Sequence, residues 1–172
     1  GEAVAHWVLD QAASREGATY ELVDLADHLL PDLDEAVPPA AGHYSEVHTR
    51  AWAEVVARYD GYVIVTPEYN RSFPGKLKNA LDRVYGEWND KAAAFVSYGV
   101  DGGIRAVEAL RIVCGSLRLA DVGPAVALNS RDDWDGWGGP FAPREHQAQT
   151  LAQVLDAAES WAEALREVRG GH

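Results

Sequence analysis

The chain has 172 residues, of which 47% are hydrophobic, and its 15 Lys and Arg face 27 Asp and Glu for a net charge of −12. This length and apolar content suit a single domain, residues 1–172, with a sizeable core. The negative charge argues against a nucleic acid or an anionic membrane surface as partner, because like charges repel. No apolar run approaches the length of a membrane span, and no secretory signal is visible. A single cysteine forms no internal disulfide, so we expect a cytoplasmic protein.

Helical and strand-like patterns alternate along the first half of the chain. Apolar spacing predicts helices near residues 1–15 and 46–59, and β-branched and apolar composition predicts short strands at 19–25 and 62–65. Between them, the proline-rich residues 27–42 read as an irregular connection. The first half therefore contributes two helices and two strands.

The second half continues the alternation. It predicts helices over 74–85, 105–119 and 144–169 and strands over 92–97 and 125–128, with no periodicity in 129–143. Alternating helices and strands form a parallel sheet with helices on both faces. The prediction is an α/β fold with four strands visible in the chain.

The most informative stretch is Thr66–Asp82, which reads TPEYNRSFPGKLKNALD. It follows an apolar strand, passes through a polar turn and enters an amphipathic helix, and Pro74 suits the first turn of that helix. Open α/β sheets bind ligands at the carboxyl ends of their strands. This loop is therefore the leading candidate for a binding site.

The pattern Thr-Pro-Glu-Tyr-Asn-x-Ser-x-Pro-Gly-x-Leu-Lys-Asn-Ala resembles the signature of the NAD(P)H-dependent FMN reductase family. This flavodoxin-like group includes flavin, quinone, azo-dye and chromate reductases. The resemblance implies a doubly wound parallel sheet in the order 2-1-3-4-5, FMN as cofactor, and NADPH or NADH as co-substrate. It also implies reduction of a small-molecule acceptor and, by analogy with similar proteins, a homodimer or homotetramer.

In that strand order the first strand lies in the middle of the sheet, whereas this chain opens with a helix. Without a central strand its neighbours would lie about 9–10 Å apart, with their inner backbone groups buried and unpaired. We therefore expect a strand and a loop, roughly 10–15 residues together, before Gly1 in the natural protein. The resemblance places the flavin phosphate in that loop, at the start of the first helix.

Two loops resemble the flavin-binding segments of the family. The first is expected to contribute Pro67, Glu68, Tyr69, Asn70 and Ser72. The second is expected to contribute Ser97, Tyr98, Gly99, Gly102 and Gly103. From local chemistry alone, Asn70 and Ser72 are better explained as turn-capping residues, and the full signature reverses that preference. Val100 replaces the second glycine of the commoner Gly-Gly pair, so ring contacts there are expected to differ.

The resemblance requires no catalytic acid or base, because the cofactor carries the chemistry. Arg71, beside the signature, is a candidate for binding the phosphates of NADPH. A rival interpretation is a non-enzymatic scaffold or sensor that keeps the fold without a productive flavin site. The absence of the phosphate loop from residues 1–172 favours that rival.

Three other features have simple explanations. Cys114 lies in a helical pattern and is expected to be a core residue. The six histidines lack metal-ligand spacing and are expected on the surface or in packing; they are His6, His28, His43, His48, His146 and His172. Trp134 and Trp137 lie in an acidic, glycine-rich segment that could cover the flavin, contact a subunit or pack as an ordinary connection.

Overall fold

The computed structural model describes residues 1–171, in which five α-helices and three β-strands alternate. The helices are α1 (Glu2–Ala12), α2 (Val47–Ala57), α3 (Gly75–Asp82), α4 (Ile104–Ser116) and α5 (Glu145–Gly170). The strands are β1 (Gly61–Pro67), β2 (Lys91–Gly99) and β3 (Leu119–Asn129). Short 3₁₀ turns occupy Leu25–Asp27, Pro39–Ala41 and Gly86–Trp88. The five predicted helices are confirmed, with ends shifted by a few residues, and Pro74 precedes α3 as its N-cap residue.

The three strands form a parallel sheet in the order β1-β2-β3. Side chains of a strand alternate between faces, and the central strand β2 is buried on both. Ala93 and Phe95 pack in a core with α2, α3 and α4, whereas Ala94 and Val96 pack in a second core with α1 and α5. Helices therefore cover both faces of the sheet, which confirms the doubly wound α/β class. The full order 2-1-3-4-5 stays a prediction.

The predicted strand at residues 19–25 is wrong. These residues run without regular structure into the 3₁₀ turn that begins at Leu25. A strand needs a neighbour for its N–H and C=O groups, and no strand within residues 1–171 pairs with this segment. Two of its side chains nevertheless make tertiary contacts: Val23 packs on the core, and the Tyr20 hydroxyl donates to Glu159 at 2.7 Å.

The last strand is longer than predicted, beginning at Leu119 rather than residue 125. Gly123 and Pro124 do not interrupt this strand, because they lie opposite Ala94 in an irregularity of the strand pairing. Proline lacks an N–H and is accepted in an edge strand at such a bulge. The helix before it stops correspondingly early, at Ser116.

Two further expectations concern the core and the helices. Cys114 is fully buried, and burial raises the pKa of its thiol to about 12, so its assignment as an inert core residue is confirmed. Within residues 1–171, no helix combines the length and the apolar character needed to cross a membrane.

The buried Lys91, at the amino end of β2, caps the C-terminal end of helix α2. Its ammonium group donates to the carbonyl oxygens of Val56 at 2.9 Å and Ala57 at 3.3 Å, and to the Tyr62 hydroxyl at 3.1 Å. A cation at a helix C-terminus satisfies carbonyls that have no partner within the helix. Burial lowers the pKa of Lys91 to about 8.

We expect Lys91→Met to lower the free energy of unfolding at pH 7 by about 1–3 kcal/mol, because it leaves helix-end carbonyls buried without donors. The wild-type protein should gain stability between pH 8 and 10 relative to the variant. In that window the folded protein has released the Lys91 proton, whereas the unfolded chain, with the ordinary value of 10.5, still holds it. Urea unfolding at several pH values measures both effects. Lys76→Met, an exposed control, should change neither; equal pH profiles for wild type and Lys91→Met would contradict the assignment.

Candidate functional site

The carboxyl ends of the three strands meet at one edge of the sheet. Pro67 pairs with Tyr98, and Gly99 pairs with Asn129, so the loops after β1 and β2 lie side by side. Helix α1 begins at the same edge, since a methyl group added to Gly1 would lie 3.1 Å from the Tyr98 hydroxyl. The structure therefore brings together the two loops that the sequence predicted and the start of the first helix.

A tight turn forms the first loop. The Tyr69 N–H donates to the Ser72 carbonyl at 2.8 Å, and the Ser72 N–H donates back to the Tyr69 carbonyl at 3.1 Å. The two central residues have positive φ, 50° at Asn70 and 70° at Arg71. Asparagine tolerates this region, whereas arginine is uncommon there, and such strain is a feature of functional loops. The turn leaves Asn70 and Arg71 exposed at its tip.

Glu68 joins the first loop to the second. One carboxylate oxygen accepts the Arg105 backbone N–H at 3.0 Å, and the other accepts the Arg105 guanidinium at 2.9 Å. The N-cap residue of α4 is Gly103, which has no side chain to cap the helix, so Glu68 supplies the acceptor from another loop. The positive end of α4 also favours this carboxylate. The Glu68 side chain, which is 11% exposed, therefore holds the two loops together.

The second loop depends on glycine at two adjacent positions. Gly102 and Gly103 have φ of 76° and 74°, and a Cβ on Gly103 would lie 2.8 Å from Ser97 Cβ and from the Tyr98 nitrogen. The buried Ser97 hydroxyl donates to the Gly102 carbonyl at 2.7 Å. The loop consequently folds back tightly onto the end of β2.

These contacts place six of the ten predicted site residues in two groups. Glu68, Ser97, Gly102 and Gly103 make internal contacts that shape the edge. Tyr69 is 62% exposed, and Asn70 is exposed at the turn, so both are accessible to a ligand. Contact between any of the predicted residues and a cofactor stays a prediction.

Tyr98 lies half-buried between the two loops and the segment that follows β3. Its ring centroid is 6.2 Å from that of Trp134, which in turn lies 4.9 Å from Phe141. Burial, with Tyr69 nearby, raises the pKa of the Tyr98 hydroxyl, so this group stays a neutral donor at physiological pH. Trp134 thus packs as part of a connection, whereas Trp137 is 76% exposed.

Sequence reasoning missed two residues that shape the edge. The first is Arg105, which contacts Asp101 at 2.8 Å. The spacing of four residues between them was the sequence signal for this contact. Asp133 is the other, a fully buried carboxylate that accepts the Asn129 N–H at 2.8 Å and the Arg144 N–H at 3.0 Å. In sequence Asp133 is one of several acidic residues in a polar segment, and nothing marks it as buried.

His48 forms a cluster with the carboxylates of Asp34 and Glu46. His48 contacts Asp34 at 3.0 Å, and its hydrogen bond lowers the pKa of Asp34. The buried guanidinium of Arg83 also contacts this carboxylate, at 3.2 Å, so a cation already occupies the cluster. The assignment of His48 to the surface or to packing stays a prediction, and His172 lies outside the described residues.

The fold and the loop edge define a flavodoxin-like α/β protein whose candidate ligand-binding edge lies at the carboxyl ends of its parallel strands. Among solved structures, the flavoenzyme FerB, an NAD(P)H:(acceptor) oxidoreductase from Paracoccus denitrificans, is similar with a TM-score of 0.69. The likeness covers 95% of this chain and 91% of FerB at 21% sequence identity, which establishes the similarity of fold.

The sequence model for NADPH-dependent FMN reductases matches residues 1–133, and the chain belongs to this family. The resemblance carried by the signature loop is thereby confirmed. The segment containing Trp137 and all of α5 lie beyond the matched residues.

Two curated relatives agree with this assignment. The NAD(P)H-dependent FMN reductase of Schizosaccharomyces pombe is 43% identical over 129 residues, which are 73% of this chain and 64% of that protein. The 2-hydroxy-1,4-benzoquinone reductase of a Burkholderia species is 48% identical over 110 residues, 59% of this chain and 56% of that protein. The chain therefore spans less than two thirds of the length of these curated relatives.

Replacing Glu68 with Gln should lower the free energy of unfolding by about 1–2 kcal/mol, because it removes the charged cap of α4 and the ion pair with Arg105. Urea unfolding measures the change. Glu108→Gln on the same helix is the matched control, since the Glu108 side chain is 75% exposed and its nearest contact with Arg111 is 3.8 Å. Equal stability of the two variants would show that Glu68 does not fasten the loops.

Proposed function

We propose that this protein is an FMN-dependent oxidoreductase that uses NAD(P)H to reduce a small-molecule acceptor of the flavin or quinone class. The observation that carries the proposal is the pair of loops fastened by Glu68 at the carboxyl edge of a parallel sheet. Family membership and the names of the relatives, an FMN reductase and a benzoquinone reductase, support it.

The donor set of the edge fits FMN, which has a flat hydrogen-bonding ring, a polyhydroxy chain and a phosphate. The Asn70 amide can donate and accept at the rim of the ring, and the exposed Tyr69 ring offers an apolar surface. Gly1 has no side chain to cap α1, so the first N–H groups of this helix are available to an anion. Asn70, Tyr69 and the start of α1 would therefore hold the cofactor.

When bound, FMN would supply the redox chemistry between the nicotinamide and the acceptor. The protein orients the reactants and controls charge. Glu68 is paired with Arg105, so its carboxylate repels an anionic ligand less than a free one would. The neutral Tyr98 hydroxyl adds no charge at the same edge.

Exposed cations next to the turn support binding of an anionic co-substrate by an otherwise acidic protein. Arg71 lies at the tip of the turn, and Lys76 lies in the first turn of α3. A local positive field of this kind attracts phosphates despite a net charge of −12. We assign Arg71 to the phosphates of NADPH.

Three wider aspects of the proposal concern the whole protein. We propose a cytoplasmic homodimer or homotetramer, as the family resemblance implies. We also propose that an upstream strand pairs with the outer edge of β1 and that its loop binds the flavin phosphate. The half-buried side chains of β1 between Tyr62 and Val65 support such a neighbour, because a partner strand would complete their burial.

A visible absorption titration tests the function. We expect the purified protein to bind FMN, the bound flavin to bleach on anaerobic addition of NADPH, and the colour to return with oxygen or a quinone. Absence of binding at high micromolar FMN would contradict the proposal and favour the non-enzymatic scaffold or sensor.

Arg71→Ala should raise the KM for NADPH about threefold to fivefold with little change in kcat, the loss expected for a solvent-exposed ion pair. Steady-state kinetics with FMN-loaded protein measures both constants. Arg58→Ala, which removes the same charge at the C-terminal end of α2, is the control and should leave the KM unchanged. An unaltered KM in Arg71→Ala would reject the assignment.

A further inference from the structure

Residues 133–142 form a small β-hairpin, here called the tryptophan hairpin. The Asp135 N–H donates to the Pro140 carbonyl at 2.9 Å, and the Ala142 N–H donates to the Asp133 carbonyl at 2.9 Å. Trp134 and Phe141 face each other as an antiparallel pair. The tip contains Trp137 between Gly136 and Gly138, both with φ of 76°.

A buried carboxylate fastens the base of the hairpin to the candidate site. Asp133 is fully buried and accepts hydrogen bonds from the Asn129 N–H, the Arg144 N–H and the Gln147 side-chain amide at 2.8, 3.0 and 3.1 Å. Asn129 is the last residue of β3, and its side-chain amide donates to the Val100 carbonyl of the second loop at 2.8 Å. The hairpin is therefore anchored at the carboxyl edge of the sheet.

Aromatic packing joins the hairpin to the rest of this edge. Trp134 lies 6.2 Å from Tyr98 between ring centroids, and Phe141 lies 5.7 Å from Trp7 of helix α1. Offset and edge-on aromatic pairs of this kind add stability beyond the area that they bury. The two strands of the hairpin are thus held against both the second loop and α1.

Unlike the anchored base of the hairpin, its tip is open to solvent, since Trp137 is 76% exposed. Trp137 is three residues from Trp134, a span of about 10 Å at most for extended chain. An exposed indole that close to a ligand-binding edge presents a flat apolar face, and flanking glycines let a planar molecule approach without steric conflict. The match to the family model ends at residue 133, so Trp137 lies beyond the matched residues.

We propose that the tryptophan hairpin forms one wall of the acceptor site and that Trp137 stacks on a planar aromatic acceptor of the quinone class. This inference rests on the proposed function. In the overall reaction a quinone takes up two electrons and two protons to become a hydroquinone. NAD(P)H supplies a hydride, which carries both electrons and one proton, and solvent supplies the second proton.

The test compares two acceptors with FMN-loaded protein and NADPH. 1,4-Naphthoquinone offers a flat ring for stacking, whereas ferricyanide is a non-planar inorganic complex that accepts one electron per ion. Trp137→Ala should raise the KM for naphthoquinone about threefold to tenfold, the range expected for loss of an aromatic stacking contact, and leave the ferricyanide kinetics unchanged. Trp137→Phe should keep most of the wild-type value.

Trp161→Ala is the matched control. Trp161 is 50% exposed on α5, 16 residues beyond the start of that helix at Glu145, or about 24 Å along its axis. Its replacement should alter neither acceptor's KM.

Four results would overturn the role of the hairpin: an unchanged naphthoquinone KM, an equal rise for both acceptors, weaker FMN binding of similar size, or an altered elution volume in gel filtration. The last two would assign Trp137 to the flavin or to a subunit contact. If the wild-type protein reduced neither acceptor, the proposed function itself would fail, which is a distinct outcome.

Discussion

One carboxylate holds together the carboxyl edge of the sheet, where the candidate site lies. Glu68 follows β1 but caps the helix that follows β2, so the position of one loop determines the position of the other. This cap is needed because the tight second loop requires glycine at residue 103, and glycine offers α4 no capping side chain. The exposed turn at Asn70 is consequently presented from a rigid base, as a site for a flat cofactor requires.

A second carboxylate also joins separate elements by accepting backbone N–H groups, on the other side of the edge. Asp133 accepts backbone N–H groups from the end of β3 and the start of α5, and so fixes the hairpin that carries Trp137. In a protein with a net charge of −12, the partly buried Glu68 and the fully buried Asp133 serve as acceptors for the backbone. The exposed cations Arg71 and Lys76 lie at the turn and in the helix after it, and under the proposed function they attract the phosphates of the co-substrate.

The alternation of elements and the signature loop were predictable from sequence because both are local patterns. The strand predicted over 62–65 and the turn at Asn70 needed only a short β-branched apolar run and turn chemistry. The failures involve distant partners. Residues 19–25 have strand composition but no neighbouring strand in the described part of the chain, and Glu68 meets Arg105, 37 residues away. The burial of Asp133 likewise depends on Gln147 and Arg144, which composition does not connect to it.

The central claim is that FMN binds at the carboxyl edge of the sheet, against the two fastened loops. Amide chemical-shift mapping of the labelled protein during an FMN titration tests it most directly. The account predicts that the largest shifts fall on the N–H groups of residues 68–72 and 97–103 and on the first turn of α1, while Gly61 and Lys91 at the opposite edge stay unchanged. Shifts confined to the opposite edge, or to the outer surface of α5, would contradict it.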